Sequence, residues 1–140
     1  MLKGLSIKLE SCGFNYPPTN REEMFKRLTI LDDGRIWFTS KCFYGIVLRK
    51  ERRKLDKKTS KEVLLKAETV FKKYVDFDQR IYMCDSFSDE ITLKYSNKTL
   101  IGDLCNCLEV EEFYNWLEEL LFEKVNLEFA LTLRYEVGDD

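Results

Sequence analysis

The sequence predicts an α+β fold in which a single antiparallel sheet has two helices packed on one face. The first observation is the alternation over 127–137, where six apolar side chains of one parity alternate with polar or small ones. Successive side chains of a strand point to opposite faces, so this segment is expected to be a half-buried strand. One polar face favours an antiparallel sheet, because parallel sheets are covered on both sides. The second observation is two long stretches with apolar residues at helical spacing.

Composition indicates one globular domain that spans residues 1–140. The chain is 44% hydrophobic and carries a net charge of −2, so its charges are nearly balanced. Five cysteines make an odd count, which argues against a secreted disulfide scaffold and favours reduced thiols. No apolar run approaches the roughly 20 residues that span a membrane, and the N-terminus lacks a signal-peptide core. We therefore expect a cytoplasmic protein with no membrane partner.

The first third of the chain is expected to be mainly strands. Residues 5–9 alternate apolar and polar side chains and predict a first strand. The following segment contains two prolines, which exclude a helix or a central strand, so it is expected to be a long loop. This loop carries Phe14 and Tyr16, two aromatic residues that either cap the core or contact a partner.

A tight hairpin is predicted around Asp33-Gly34, which lies between two apolar stretches. A two-residue turn would place Ile30 opposite Trp37. Both faces of this hairpin would then carry apolar side chains, so it should be central or have its second face covered. A further strand is predicted over 43–48.

Two helices are predicted in the remaining chain. The first covers 60–75 and begins at a capping box formed by Thr59 and Glu62. The second extends to Lys124, and glutamates crowd its first turn, where they complement the helix dipole. A second hairpin is predicted between the helices, over 90–104.

The sequence lacks the familiar signatures of catalysis. Histidine is absent, which removes the usual nucleophile–histidine pairs and the commonest metal ligand. No nucleotide-binding glycine pattern or hydrolase motif occurs. Cys105 and Cys107 supply two of the four ligands that a zinc site needs, so they are weak metal candidates and no cofactor is predicted.

Charge is distributed unevenly along the chain. Residues 1–75 contain 18 Lys and Arg against 9 Asp and Glu, a net of +9, whereas 76–140 contain 5 against 16, a net of −11. Eight of the basic residues fall within 49–61. This run is either a solvated connection between strand and helix or a handle for an acidic protein. Nucleic acid ranks third, because the pI is about 5.4 and no aromatic residues interleave with the run.

We therefore expect a small, soluble, non-enzymatic domain that binds an acidic protein through complementary charge, as inhibitors, adaptors and immunity-type proteins do. The alternative is a small metal-binding or enzymatic domain that uses Cys, Asp or Glu. The predicted partner-binding residues are the basic run and the two loop aromatics: Arg49, Lys50, Arg52, Arg53, Lys54, Lys57, Lys58, Phe14 and Tyr16.

Overall fold

The computed structural model describes residues 1–10, 21–75, 89–104 and 108–131, which form six strands and two helices. The elements in chain order are β1 (Gly4–Glu10), β2 (Phe25–Leu31), β3 (Arg35–Lys41), β4 (Val47–Lys54), α1 (Lys57–Val75), β5 (Asp89–Lys94), β6 (Thr99–Leu104) and α2 (Leu108–Val125). The strands form one antiparallel sheet in the order β4-β3-β2-β1-β5-β6. The prediction of an α+β fold around a single antiparallel sheet is confirmed.

One face of the sheet, here called the inner face, forms the core. The register aligns Ile7 of β1 with Leu28 of β2 and Ile91 of β5, and aligns Leu28 with Phe38 of β3. All four side chains are fully buried. Burial of each such side chain stabilises the fold by roughly 1.5–3 kcal/mol. The same core includes the buried stripes of both helices: Val63, Leu64, Ala67, Val70, Phe71 and Val75 of α1, and Val110, Phe113, Tyr114, Leu117 and Leu121 of α2.

The β2–β3 hairpin forms as predicted, but its predicted register is wrong by one residue. Ile30 pairs with Ile36, and Thr29 rather than Ile30 pairs with Trp37. The loop has three residues, 32–34, and the last of them, Gly34, has a positive φ of 98°. The Gly34 N–H closes the turn with a 3.0 Å bond to the carbonyl three residues earlier. Trp37 therefore lies on the opposite face from the core, here called the outer face.

The strand predicted over 43–48 is displaced toward the C-terminus. Residues 43–46 form a turn in which Gly45 has a φ of 82°, and the Cys42 N–H donates to the Ile46 carbonyl at 3.0 Å. The strand β4 follows the turn and contains most of the basic run, so a solvated connection is the wrong interpretation of 49–54. In the described part of the chain β4 is an edge strand, a position where Lys and Arg discourage pairing between copies.

The first helix begins three residues earlier than predicted. Its N-cap is Asp56, whose carboxylate accepts the Thr59 N–H at 3.0 Å and the Thr59 hydroxyl at 2.6 Å. These hydrogen bonds hold the pKa of Asp56 below its ordinary value. The predicted capping box of Thr59 and Glu62 is wrong, because Thr59 already lies inside the first turn.

The segment after α2 is not a strand over its described residues, although its burial alternates as predicted. Asn126 has a φ of 54°, and the Leu127 N–H donates to the Leu121 carbonyl, which ends the helix in a left-handed cap. Leu127, Phe129 and Leu131 are buried. Residues 126–131, here called the C-terminal segment, therefore pack into the core without joining the sheet, and 132–137 lie outside the described residues.

The predicted hairpin over 90–104 is confirmed as β5 and β6. No helix in the described residues is long and apolar enough to cross a membrane. The predicted loop with Phe14 and Tyr16 lies outside the described residues, as do Cys105 and Cys107.

Candidate functional site

The alternation of β4 divides the basic run between the two faces of the sheet. Lys50, Arg52 and Lys54 lie on the outer face, and all three side chains are exposed. Arg49 and Arg53 lie on the inner face and are half-buried. Residues that are adjacent in sequence therefore have different environments and are suited to different tasks.

The two inward arginines bind the backbone of the chain itself. Arg53 Nε donates to the Val125 carbonyl at 3.0 Å, and the Arg49 guanidinium donates to the Glu128 carbonyl at 2.6 Å. Glu51 lies between them, 3.2 Å from Arg53 and 3.6 Å from Arg49. These bonds satisfy carbonyl groups at the end of α2 and in the C-terminal segment. Both arginines therefore stabilise the packing of the end of α2 and of the C-terminal segment against β4.

Lys26 of β2 makes a third contact of this kind. Its Nζ donates to the Ala130 carbonyl at 2.8 Å. Burial lowers the pKa of Lys26, while the nearby carboxylates of Glu23 and Glu118 oppose that shift. The C-terminal segment is thus bound by cationic side chains from two strands, in addition to its three buried apolar residues.

The outer face of β1–β4 is strongly basic. By register and parity its charged side chains are seven Lys or Arg and a single acid, Glu10. All seven basic side chains are exposed. Adjacent strands lie about 4.8 Å apart, so the axes of β1 and β4, the two outermost of these four strands, are about 14 Å apart. We call the following set the basic face: Lys8, Arg27, Arg35, Lys41, Lys50, Arg52, Lys54 and the central Trp37.

Trp37 lies at the centre of the basic face. It pairs across strands with Arg52 on one side and with Thr29 on the other. The Arg35 guanidinium lies 5.3 Å from the centroid of the Trp37 ring, a cation–π distance, and also pairs with Asp33 at 2.7 Å. The half-buried ring gives this charged surface an apolar centre.

The other predicted partner-binding residues fall into two groups. Lys57 and Lys58 are exposed in the first turn of α1, shortly after β4 ends. Phe14 and Tyr16 belong to the segments outside the described residues, so their role remains a prediction. Within the described ranges, no group of three or more Cys, Asp or Glu side chains is placed to hold a metal ion.

A second exposed feature is apolar, and the sequence interpretation missed it. The β3–β4 turn exposes Phe43, Tyr44, Ile46 and Val47, each by half or more of its surface. The two rings contact each other edge to face, with centroids 5.4 Å apart. The signal was Gly45, a turn-forming residue inside the apolar stretch 43–48 for which the sequence predicts a strand.

The third feature is a buried acid that the sequence interpretation also missed. Asp89 begins β5 with the same parity as the buried Ile91 and Leu93, so its side chain enters the core. The Tyr114 hydroxyl donates to Asp89 Oδ2 at 2.8 Å. Burial raises the pKa of Asp89 to about 6, while the hydrogen bond from Tyr114 opposes the rise. The pair is too buried to meet a macromolecular partner.

The solvent-facing side of α2 is acidic. Glu111, Glu112, Glu119 and Glu123 are exposed, and we call these four residues the acidic stripe. Phe122 is exposed on the same helix and lines an open groove of about 640 Å³. The strongly basic and strongly acidic surfaces thus belong to different elements, one to the sheet and one to α2.

Comparison with known protein-family models, with curated proteins and with solved structures finds no match for this chain.

Proposed function

We propose that this chain is a non-enzymatic binding domain whose basic face takes an acidic surface of another protein. The observation that carries the proposal is the sorting of charge by strand alternation, which places seven cations and one acid on the outer face of four strands. Such a surface attracts an acidic partner at long range and speeds encounter. Inhibitors, adaptors and immunity-type proteins act in this way.

Two observations favour a protein over a nucleic acid as the partner. The whole chain has a net charge of −2, whereas domains that bind nucleic acid are usually basic overall. The aromatic residues of the outer face, Phe25 and Trp37, are half-buried. Proteins that bind single strands usually present open rings on which successive bases stack.

The cysteines support action in a reducing compartment. Their count is odd, and Cys42 is a free thiol that is fully buried in the core. A small buried thiol is an ordinary core residue where disulfides do not form. We therefore propose that the binding event occurs in the cytoplasm.

A titration with acidic polymers tests the proposal. Trp37 can report binding by its fluorescence if Trp116, the other tryptophan, is replaced by phenylalanine. Poly-L-glutamate and a single-stranded oligonucleotide of equal charge would be added to dilute protein over a series of salt concentrations. We expect poly-L-glutamate to bind more tightly than the oligonucleotide, with an affinity that falls as salt screens the charges.

Charge reversal supplies the matched control. Arg52→Glu/Lys54→Glu changes the net charge by −4 within the basic face, and Lys61→Glu/Lys72→Glu makes the same change at exposed positions of α1. The first variant should lose about tenfold or more in affinity for poly-L-glutamate, equivalent to about 1.4 kcal/mol, and the second much less. Equal losses would reject the basic face as the site. Tighter binding of the oligonucleotide would reject a protein as the partner class.

A further inference from the structure

We propose that the acidic stripe of α2 in a second copy of this chain binds the basic face, so that copies associate head to tail. The inference rests on the proposed function, because it uses the same basic face, and it deepens that function by naming the acidic partner. The two surfaces belong to α2 and to the outer face of the sheet, so they meet between copies rather than within one.

Charge complementarity is the first support. The four glutamates of the acidic stripe follow helical spacing, which places them along one side of α2. Lys124 is the only basic residue of this helix. The facing surface carries seven cations and one acid, so contact would pair opposite charges along most of its length.

Exposed apolar groups on both surfaces are the second support. Phe122 and Leu108 of α2 are 54% and 71% exposed, and Trp37 gives the basic face an apolar centre. Charge alone mainly accelerates encounter, whereas aromatic and aliphatic contacts prolong the complex. Both surfaces therefore combine a charged field with a group that can be desolvated on contact.

Shape is the third support. A helix of 18 residues such as α2 is about 27 Å long and about 10–12 Å wide. The eight residues of β4 extend over about 26 Å, and the four strands of the basic face span about 14 Å. One helix laid along these strands would cover most of the basic face. A footprint of about 26 by 14 Å is smaller than that of a standard stable interface, so we expect a weak and reversible contact.

The contact is heterologous, because different surfaces of the two copies meet. Such contacts produce open chains unless the rotation between copies closes a ring. Mass should therefore rise with concentration rather than stop at a dimer. Symmetric pairing through the β4 edge is disfavoured, since it would bring two basic strands together.

Sedimentation velocity with charge-swapped variants tests the inference. Wild-type protein should exceed its monomer mass of 16.7 kDa at low salt and return to it in high salt. Arg52→Glu/Lys54→Glu reverses charge on the basic face, and Glu119→Lys/Glu123→Lys reverses it on the acidic stripe. Each variant alone should stay monomeric, whereas an equimolar mixture should associate, because each surface then meets a complement. Lys61→Glu/Lys72→Glu should associate like the wild type.

The outcomes separate this inference from the proposed function. A wild-type chain that stays monomeric at low salt and high concentration, yet binds poly-L-glutamate, would overturn self-association and leave the proposed function standing. Association that is insensitive to salt and to both charge reversals would also overturn it, and would indicate contact through the apolar turn at 43–47 instead. Failure to bind poly-L-glutamate together with a monomeric wild type would overturn both.

Discussion

At the scale of single residues, the buried pair of Asp89 and Tyr114 has a predictable effect on stability. Asp89 is 8% exposed, and its pKa of about 6 lies above the ordinary value of 3.8. Between these two values the folded state binds more protons than the unfolded state. The stability of the fold therefore falls as pH rises from about 4 to about 6, and this loss is complete above that range.

Asp89→Asn should remove this dependence. The amide keeps an oxygen that can accept the Tyr114 hydroxyl and carries no charge to bury. We expect the variant to be more stable than the wild type at pH 7 by up to about 3 kcal/mol, with little difference at pH 4, measured by urea unfolding across that range. Asp33→Asn is the control, because Asp33 is exposed and hydrogen bonds from Arg35 lower its pKa. The contribution of Asp33 to the stability of the fold therefore decreases as pH falls, which is the opposite of the trend expected for Asp89. An Asp89→Asn variant that is less stable than the wild type at pH 7 would contradict the raised pKa of Asp89.

The alternation of β5 could have predicted from the sequence that Asp89 is buried, since it lies two and four residues before the buried Ile91 and Leu93. Its partner could not have been found in this way. Tyr114 is 25 positions away on another element, and the two meet only because α2 and β5 contribute to the same core. Long-range polar pairs of this kind depend on tertiary packing, which local patterns do not encode.

At the scale of elements, the glycines of the β2–β3 and β3–β4 turns differ in how closely other atoms approach their backbones. Gly34 has a φ of 98°, and a Cβ atom there would lie 2.1 Å from the Leu55 carbonyl oxygen. Gly45 has a φ of 82°, but a Cβ atom there would have no neighbour within 4 Å. Both positions favour glycine, and only the first also forbids a side chain.

Substitution by alanine should separate these two effects. Gly45→Ala should cost about 1 kcal/mol, from the left-handed backbone alone. Gly34→Ala should cost at least about 2 kcal/mol more, because the β2–β3 turn must move away from Leu55. Urea unfolding of both variants measures the difference. Similar losses at the two turns would show that the close approach at Gly34 is not constraining.

The elements show where sequence patterns succeed and where they stop. Helical spacing predicted both buried stripes, and alternation predicted β1 and the β5–β6 hairpin, because each signal is local. The register at Asp33-Gly34 failed, since the same two residues fit a two-residue and a three-residue loop. The C-terminal segment failed for a similar reason: alternating burial of Leu127, Phe129 and Leu131 arises equally in an extended segment that packs on the core without pairing.

At the scale of the whole molecule, the charge split between sequence halves becomes a split between surfaces. The sequence predicted a basic stretch over 49–61 as one feature. The fold divides it, because β4 alternates outward and inward residues. The fold also adds four cations from three other strands: Lys8, Arg27, Arg35 and Lys41. Neither the division nor the addition follows from the sequence alone, because both require the strand boundaries and the order of the sheet.

The most direct test of this division compares two adjacent arginines. Arg52→Ala removes an exposed cation of the basic face, so it should weaken the binding of poly-L-glutamate several-fold and change the free energy of unfolding by less than about 0.5 kcal/mol. Arg53→Ala removes the donor to the Val125 carbonyl, so it should lower stability by about 1–2 kcal/mol and leave binding unchanged. Titration and urea unfolding of the same two samples measure both quantities. Equal loss of binding in the two variants would contradict the division of the basic run between a binding face and the scaffold.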